Sequence, residues 1–304
     1  MIVTDPAEFL AAFTPERFPV RAAPTARAAF LISPAASTLA SESATDNRYM
    51  DLAQSIDPQR ALAQHADLAR RLGEDIPVIT FPGDAACPDG MFPNNVFGTA
   101  PGRFIVGRMR HAVRQREAAR ADVRGFFSDT LGYRTIDLSA EPIVAELTGA
   151  LVIDRARGIG YCGLSERCDL AGARAMHEAF GLRLTFCFEL AAGEYHTNVV
   201  MALLAGRTAL LAADGFADPA VPEAIARGLG GRVVWLTRAQ KNAFCGNAIA
   251  LAPGRAWISA RAAQALEPAQ KTAIERSGFA LDDVELDEIE KAGGSLRCCV
   301  AEIF

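Results

Sequence analysis

The chain has 304 residues, half of them hydrophobic and 22% charged, which is typical of a globular protein with a sizeable core. Its 31 basic and 36 acidic residues give a formal charge of -5, which disfavours nucleic-acid binding and attachment to an anionic membrane. No stretch approaches the roughly 20 apolar residues of a membrane span, and the N-terminus resembles no secretion signal, so we expect a cytoplasmic protein.

The seven cysteines are an odd number and form no CxxC pair, and the four histidines are scattered along the chain. A chain of this length needs no disulfide staples. We therefore expect free thiols and neither a metal site nor another cofactor.

Four segments share a pattern of apolar strand, turn with glycine, and apolar strand. They begin at Asn95, Gly149, Asn198 and Asn247, which are 54, 49 and 49 residues apart by subtraction of the residue numbers. Their turns contain Gly102, Gly158, Gly206 and Gly254, where a hairpin favours a residue that tolerates positive φ. The sequence thus predicts a repeated β-hairpin.

Each hairpin is followed by helical spacing of apolar residues, over 114–131, 169–180, 219–229 and 261–277, and a third strand follows in turn. The unit is ββαβ. A fifth unit forms if the strand "AAFLISP" pairs with the C-terminal strand "RCCVAEIF", with a helix over 59–72 and the strand "PVITF". We expect an α/β fold of five such units around an axial pocket, in a single domain over 1–304. A conventional α/β sandwich is the alternative.

Four polar stretches lead into successive hairpins: "PDGMFPNN", "AELTGALVID", "EYHTNVVM" and "GGSLRCCV". In a closed ring these entrances converge, and they bring Asp89, Glu146, His196 and Cys298 to one pocket. A cysteine needs a nearby base to form the nucleophilic thiolate near neutral pH, and His196 suits that task. A histidine can also protonate a leaving amine and then activate water.

These motifs together resemble the amidinotransferase and guanidino-hydrolase superfamily with the pentein fold, which includes arginine deiminase and dimethylarginine dimethylaminohydrolase. The matching stretches are "PD…F" with Asp89 and Phe92, Glu146, "GLSER" with Arg167, "YHTN" with His196, and "GGSLRC" with Cys298. The resemblance extends from about residue 28 to the end of the chain.

The resemblance implies that the fold is the pentein α/β-propeller and that Cys298 is the nucleophile. It also implies that His196 is the proton carrier and that Glu146 holds substrate nitrogens. Arg167 would bind the substrate α-carboxylate, since a guanidinium fits a carboxylate bidentately. Arg114 is a second candidate for that contact, and a solvated arginine at a helix start is its alternative. Cys299 is expected to face away from the site as packing.

The chain departs from arginine-hydrolysing relatives at positions where they usually carry acidic residues. Just after the "PD…F" stretch it has Asn94 and Asn95, and two residues beyond His196 it has Asn198. A buried guanidinium needs countercharge, whereas an amide offers a donor and an acceptor to a neutral group. This favours a ureido substrate such as citrulline, and the stretches "FPNN", "YHTN" and "RCC" are similar to those of citrulline-utilisation hydrolases. We therefore expect conversion of citrulline to ornithine, ammonia and carbon dioxide.

Other functions stay open at this point. Asp89 and Glu146 could still neutralise a guanidinium, as in an arginine deiminase or a dimethylarginine dimethylaminohydrolase. An amidinotransferase would pass its group to an amine, and a binding protein would catalyse nothing. The expected partner is a small amino-acid substrate, with no nucleic acid and no membrane. The oligomeric state stays open between a monomer and a homodimer.

Overall fold

The structure is a computed structural model that describes residues 1–35 and 39–304. Short strands make up its sheets. In chain order they are β1 (Ile2–Val3), β2 (Ala28–Ile32), β3 (Val78–Phe81), β4 (Phe97–Ala100), β5 (Arg103–Val106), β6 (Arg134–Asp137), β7 (Leu151–Asp154), β8 (Ile159–Leu164), β9 (Leu184–Glu189), β10 (Met201–Leu204), β11 (Thr208–Leu211), β12 (Val233–Trp235), β13 (Ile249–Ala252), β14 (Arg255–Ser259), β15 (Ala280–Val284) and β16 (Ala301–Ile303).

The described strands form five sheets, and each sheet contains an antiparallel pair followed by a parallel third strand. Four sheets follow the chain, as β4-β5-β6, β7-β8-β9, β10-β11-β12 and β13-β14-β15. The strand β1 extends one of them by pairing in parallel with β9. The repeated strand pattern predicted from sequence is therefore observed.

The fifth sheet joins the two ends of the described chain. The strand β16 pairs antiparallel with β2, and β2 pairs in parallel with β3. Phe30 of β2 is fully buried, with ring centroids 5.6 Å from Phe81, 6.2 Å from Phe97 and 5.3 Å from Phe127. This aromatic cluster packs the terminal sheet against the sheet of β4.

Helices connect the strands. They are α1 (Pro6–Ala12), α2 (Ser41–Ala44), α3 (Pro58–Leu72), α4 (Ala112–Gln115), α5 (Ala121–Gly125), α6 (Leu147–Ala150), α7 (Leu170–Phe180), α8 (Thr197–Val200), α9 (Ala220–Gly228), α10 (Arg238–Asn242), α11 (Ala260–Ala265), α12 (Pro268–Arg276) and α13 (Asp287–Glu290). None of the helices described is both long enough and apolar enough to cross a bilayer.

Local sequence explains where the longer helices begin and end. The Asp57 carboxylate caps α3 by accepting hydrogen bonds from two backbone N–H groups, and Pro58 occupies the first turn, where no N–H is needed. The Asp169 carboxylate caps α7, and Gly181 ends that helix with a left-handed φ of 67°.

Two predicted helices are interrupted in the structure. Residues 114–131 contain α4, a 3-10 turn over Glu117–Ala119, α5 and a π-helical turn over Phe126–Thr130 instead of one helix. Residues 261–277 are divided into α11 and α12, because Pro268 cannot continue a preceding helix and instead begins a new one. The helical spacing of apolar residues continues through both interruptions, so the spacing alone does not reveal them.

The glycine prediction holds at three of the four turns. Gly102, Gly158 and Gly206 have φ values of 68°, 70° and 67°. The prediction for Gly254 is wrong, because its φ is not positive. The adjoining pair β13-β14 has a register irregularity between Ile249 and Ala252, so this hairpin turns by a different geometry.

The sheets contact one another in sequence order. The strand β4 contacts β16, β7 contacts β10, β10 contacts β13, and β14 contacts the turn that precedes β16. The helix α6 links the remaining pair, since it contacts both β4 and β7. The first strand of each pair therefore lies on the inner side, and the segments leading into these strands come together.

Candidate active site

Short helical turns precede four of the inner strands and carry or adjoin several of the predicted site residues, including Glu146, His196 and Cys298. They are the 3-10 turn Pro93–Asn95 before β4, α6 before β7, α8 before β10, and the 3-10 turn Leu296–Cys299 before β16. A tight turn places a side chain at the end of the strand instead of on one of its faces. Polar groups from separate sheets thus meet at one end of the inner strands.

A small cavity of about 20 Å³ lies at this meeting point. It brings together six of the residues singled out in the sequence: Asp89, Phe92, Asn95, Arg114, Arg167 and Cys298. Glu146 and His196 lie fully buried and bonded to each other, and Glu146 also contacts the cavity residue Arg167. Asn198 contacts the Cys298 thiol without lining this cavity.

The Cys298 thiol is surrounded by amides. Its Sγ atom lies 3.3 Å from Nδ2 of Asn247 and 3.7 Å from Nδ2 of Asn198. Burial raises the pKa of the Cys298 thiol, although its hydrogen bonds to Ser295 and Asn247 act in the opposite direction. The thiol is therefore the resting form near neutral pH, and ionisation has to accompany a later step.

The two adjacent cysteines do not lie in a strand, which corrects the sequence prediction. They belong to the 3-10 turn Leu296–Cys299, and the last strand begins only at Ala301. Successive residues of a 3-10 helix point about 120° apart, so the two side chains still diverge. Cys299 is fully buried among apolar side chains, as a packing residue would be. All seven cysteines are free thiols.

His196 and Glu146 form a buried pair. The His196 Nε2 atom lies 2.9 Å from Oε2 of Glu146, and both side chains are fully buried. Burial lowers the pKa of His196, although the Glu146 carboxylate raises it in part. A neutral imidazole that donates from Nε2 to a carboxylate has an unprotonated Nδ1. That atom has no partner among the described residues and is available to accept a proton.

Glu146 stays ionised despite its burial. Burial favours the neutral acid, but the charge of Arg167 and the hydrogen bond to His196 outweigh it and hold the pKa of Glu146 well below its usual range. Nη1 of Arg167 lies 3.3 Å from the Glu146 carboxylate, and the backbone N–H of Arg110 donates to Oε1 at 3.1 Å. The carboxylate is thus fixed from three sides.

The remaining nitrogens of Arg167 are used within the protein. Its Nε atom donates to the Asp46 carboxylate at 2.9 Å, and its Nη2 atom donates to Asp46 and to the main-chain oxygen of Ser43. Nε2 of His111 also contacts Asp46, at 2.9 Å. Arg167 therefore attaches the segment around α2 to the site, and little of its donor capacity remains for a substrate carboxylate.

Arg114 lies in a second buried cluster, so the alternative of a solvated arginine is wrong. It is 3% exposed, and its Nε and Nη2 atoms donate to the Glu117 carboxylate at 2.9 and 2.8 Å. Nη2 also donates to the main-chain oxygens of Asp89 and Phe92. Its Nη1 atom makes no hydrogen bond to a described residue, and Arg114 lines the cavity. One donor group thus remains for a ligand.

The predicted carboxylate Asp89 is buried beside this cluster. It accepts a hydrogen bond from the Ser43 hydroxyl and lies 4.0 Å from the Arg114 Nε atom. Burial raises its pKa, and the nearby Arg114 charge lowers it only in part. The pocket therefore favours the neutral acid of Asp89 more than water does.

The three asparagines occupy different surroundings. Asn198 donates to the Thr148 main-chain oxygen at 3.2 Å and contacts the thiol. The side-chain oxygen of Asn95 has no partner among the described residues, and the same holds for both side-chain polar atoms of Asn94. Asn94 does not line the cavity, and its main-chain oxygen accepts a hydrogen bond from Thr148.

Sequence reasoning missed Asn247, which contacts the Cys298 thiol. Its Oδ1 atom also accepts hydrogen bonds from the backbone N–H groups of Arg297 and Cys298, at 2.9 and 3.4 Å. The repeat contained the necessary information, because Asn247 begins the fourth hairpin as Asn95 and Asn198 begin the first and third. Applying the site pattern to all of the hairpins would have identified it.

Asp46 and Asn47 were also missed. They lie in a polar stretch whose partners are distant in sequence, since Asn47 donates from Nδ2 to the Gly293 main-chain oxygen at 3.1 Å. Tyr195 donates to the same oxygen at 2.6 Å, and its ring centroid lies 4.5 Å from that of His196. No local pattern in the sequence predicts these contacts.

Gly149 makes room for the central groups. A Cβ atom at this position would lie 2.6 Å from Oδ1 of Asn95 and 2.8 Å from Nδ1 of His196. These separations are shorter than van der Waals contacts, so the glycine is required for the two unpartnered atoms to approach the same point.

A family model described as "N,N dimethylarginine dimethylhydrolase, eukaryotic" matches residues 33–304. No curated protein matches the chain. Solved structures share its fold at low identity. The N-terminal domain of ArgZ, an arginine dihydrolase from the ornithine–ammonia cycle in cyanobacteria, is 17% identical with a TM-score of 0.79, over 91% of this chain and 97% of that domain.

Two further structures are similar to this chain. AgrE, solved as a ternary complex with ornithine and NAD+, is 19% identical with a TM-score of 0.78, over 91% of this chain and 39% of its own. A dimethylarginine dimethylaminohydrolase variant, solved as an adduct with S-methyl-L-thiocitrulline, is 19% identical with a TM-score of 0.71, over 91% of this chain and 99% of its own. At these identities the structures establish the mixed α/β pentein fold.

The role of Gly149 can be tested by Gly149→Ala, with Gly254→Ala as the matched control. The added methyl at residue 149 displaces the His196 ring or the Asn95 amide, and we expect the free energy of unfolding to fall by about 1–3 kcal/mol. At residue 254 nothing lies within 4 Å and φ is not positive, so we expect almost no loss. Urea denaturation measures both, and equal stability of the two variants would contradict the packing described.

The resting state of the thiol can be tested by the pH dependence of its alkylation. Because burial raises the pKa of Cys298 above that of an ordinary thiol, the rate of labelling by iodoacetamide should keep rising with pH through about 9. Mass spectrometry locates the label, and Cys298→Ser is the control without it. A rate that levels off near pH 7 would show that His196 already holds a thiolate in the free protein.

Proposed function

The chain belongs to the N,N dimethylarginine dimethylhydrolase family of the pentein superfamily, and from this we propose that it hydrolyses a ureido amino acid, citrulline, through Cys298. The enzyme class is a hydrolase that acts on carbon–nitrogen bonds other than peptide bonds. The proposed products are ornithine, ammonia and carbon dioxide.

The proposal also covers how the five sheets are arranged around the site. We infer that the five sheets are the blades of an α/β-propeller in one domain over residues 1–304, with the cavity of Cys298 on its axis. The order of contacts between neighbouring sheets supports this, together with the pairing of β16 and β2.

The amides around the thiol are the observation that supports a ureido head group in the substrate. The side chains of Asn198 and Asn247 are within hydrogen-bonding distance of the Cys298 Sγ atom, and neither bears a charge. A reacting carbon has to approach this sulfur, so its attached groups meet amides first. Amides satisfy both the oxygen and the nitrogen of a neutral C(=O)NH2 group, whereas a cationic guanidinium gains no countercharge from them.

The charge of one nearby carboxylate is compensated by an arginine, and burial raises the pKa of the other. Glu146 pairs with Arg167 and bonds to His196. Burial raises the pKa of Asp89, so this acid becomes a hydrogen-bond donor more readily than an exposed aspartate. A neutral head group can use a donor of this kind at its oxygen.

The proposed first step is attack by sulfur on the ureido carbon. Cys298 loses its proton towards Nδ1 of His196, whose Nε2–H is held by Glu146. The new S–C bond forms, the bond from that carbon to the side-chain nitrogen breaks, and the proton goes to ornithine as it leaves. The product of this step is S-carbamoyl-Cys298.

In the second step, water adds to the carbamoyl carbon, and His196 accepts its proton. The S–C bond breaks and returns the thiol, while the carbamate released decomposes to ammonia and carbon dioxide. The net reaction consumes one water molecule for each citrulline.

We propose Arg114 as the anchor of the substrate α-carboxylate in preference to Arg167. Arg114 lines the cavity, and its Nη1 atom has no acceptor among the described residues. Arg167 instead forms ion pairs with Asp46 and Glu146. Its proposed role is to keep Glu146 ionised.

Arginine or a methylated arginine is the second candidate substrate. Four buried or half-buried carboxyl groups, those of Asp46, Asp89, Glu117 and Glu146, surround only two arginines, Arg114 and Arg167. The excess of acid favours a cationic ligand. Transfer of an amidino group to an amine shares the same covalent step and would require an amine acceptor. Cytoplasmic location remains a prediction, and the oligomeric state stays open between a monomer and a homodimer.

The first experiment is to incubate the purified protein with L-citrulline and to measure L-ornithine by mass spectrometry. We expect ornithine from the wild type and from Cys299→Ala, whose thiol faces away from the site. We expect none from Cys298→Ala, because the covalent step requires that sulfur. If the wild type leaves citrulline unchanged but releases citrulline with ammonia from arginine, or citrulline with dimethylamine from dimethylarginine, the guanidino alternative is correct. If Cys298→Ala keeps its activity, the mechanism is wrong.

The head-group preference can be tested by the double variant Asn95→Asp with Asn198→Asp. New carboxylates beside the reacting carbon should raise arginine turnover relative to citrulline turnover, since they supply countercharge to the guanidinium. Asn242→Asp, which changes an exposed amide, should leave the ratio unchanged. The measured quantity is the ratio of the two kcat/KM values, and an unaltered ratio in the double variant would refute selection by charge.

A further inference from the structure

A second cavity lies behind the thiol and is distinct from the cavity of Cys298. We call it the axial cavity because the inner strands β7, β10 and β13 line it, and it has a volume of about 50 Å³. Its wall follows β10 from Asn198 to Ala205 and includes Val152 of β7 and Ala250 of β13. Four strand residues span roughly 13 Å. The axial cavity therefore runs from the catalytic end of the inner strands to the hairpin turn at Ala205.

Asn198 separates the two cavities. It lines the axial cavity, and its Nδ2 atom lies 3.7 Å from the Cys298 Sγ atom and 3.2 Å from the main-chain oxygen of Thr148. Thr148 lines the axial cavity as well. The Asn198 amide thus both lines this cavity and contacts the thiol.

The axial cavity has a polar lining suited to water and small polar molecules. Arg297 and Glu302 contribute an ion pair with an N–O distance of 2.9 Å. Arg155 forms no ion pair with a described carboxylate, and its guanidinium lies 4.2 Å from the Phe304 ring centroid. Cavities with several polar partners hold ordered water, whereas apolar ones stay dry.

The cavity of Cys298 is the smaller of the two, at about 20 Å³ against about 50 Å³. Ser43, Asn47 and Met50 line this cavity, and Asn47 donates a hydrogen bond across it to the main-chain oxygen of Gly293, which also lines it. Ornithine leaving through this cavity would occupy the route that the hydrolytic water needs. A second route would separate the amino acid from the small molecules.

We propose that the axial cavity is a rear path that admits the hydrolytic water to Cys298 and releases ammonia and carbon dioxide, with Asn198 at its inner end. This inference rests on the proposed function. In the step that it serves, water adds to S-carbamoyl-Cys298, the S–C bond breaks, and the thiol recovers its proton. The carbamate that leaves then gives the two small products.

The test narrows the path with Val152→Phe. Val152 is a half-buried residue of the axial wall, so an aromatic ring has space to enter the cavity. Val233→Phe is the matched control, because Val233 is also a half-buried strand valine but does not line the cavity. If Val152→Phe fails to fold, Leu203→Phe on the neighbouring strand blocks the same space.

We expect the first turnover of citrulline to release ornithine from Val152→Phe as fast as from the control. The steady-state rate should fall by about tenfold, equivalent to roughly 1.4 kcal/mol in the barrier, because hydrolysis of the intermediate is delayed. Intact-protein mass spectrometry should then show carbamoyl-Cys298 accumulating in Val152→Phe alone.

Equal steady-state rates in Val152→Phe and Val233→Phe, with no accumulated adduct, would overturn the rear path while leaving the proposed function intact. A slowed first turnover would also overturn it, because the substitution would then act on the attack of the thiol. If the wild type releases no ornithine, the proposed function fails and the rear path fails with it.

Discussion

The buried carboxylate of Glu146 is the group on which the rest of the site depends. An isolated carboxylate in this position would be neutral, because burial alone favours the acid. Arg167 and His196 reverse that preference and hold its pKa well below the usual range. Ionised Glu146 then fixes the His196 tautomer through Nε2 and leaves Nδ1 free to accept a proton. The proton carrier of the site is therefore prepared before any ligand binds.

The same interaction joins parts of the chain that lie far apart in sequence. Arg167 bonds to Glu146 on one side and to Asp46 on the other, so the segment that covers the cavity is attached to the catalytic pair. Removing one partner of such a buried network leaves an uncompensated charge, which is far more costly than replacing the network as a whole. The segment around Asp46 and the His196–Glu146 pair are thus energetically coupled through Arg167.

Periodicity in the sequence was sufficient for the fold but only partly so for the site. Hairpins recur at nearly constant spacing, and the pairing of β16 with β2 follows from completing the repeat. Cys298, His196 and Glu146 were found because each precedes an inner strand. Asn247 was missed although it obeys the same rule, whereas Asp46 could not be found, since its contact with Arg167 spans 121 residues and leaves no local pattern. The strand around Cys298 was wrongly predicted because an apolar run does not distinguish a 3-10 turn from the strand after it.

The environment of Cys298 connects substrate choice with activation of the nucleophile. Burial keeps the thiol protonated, and its amide neighbours supply dipoles without charge. A cationic guanidinium would itself stabilise the thiolate, whereas a neutral ureido group cannot, so thiol ionisation depends more on a base when the substrate is a ureido compound. Burial lowers the pKa of His196, so it is neutral near pH 7, and its unpartnered Nδ1 atom is the base in the proposed mechanism. A neutral histidine and a protonated thiol in one buried site are therefore the combination that the proposed hydrolysis of a neutral substrate requires.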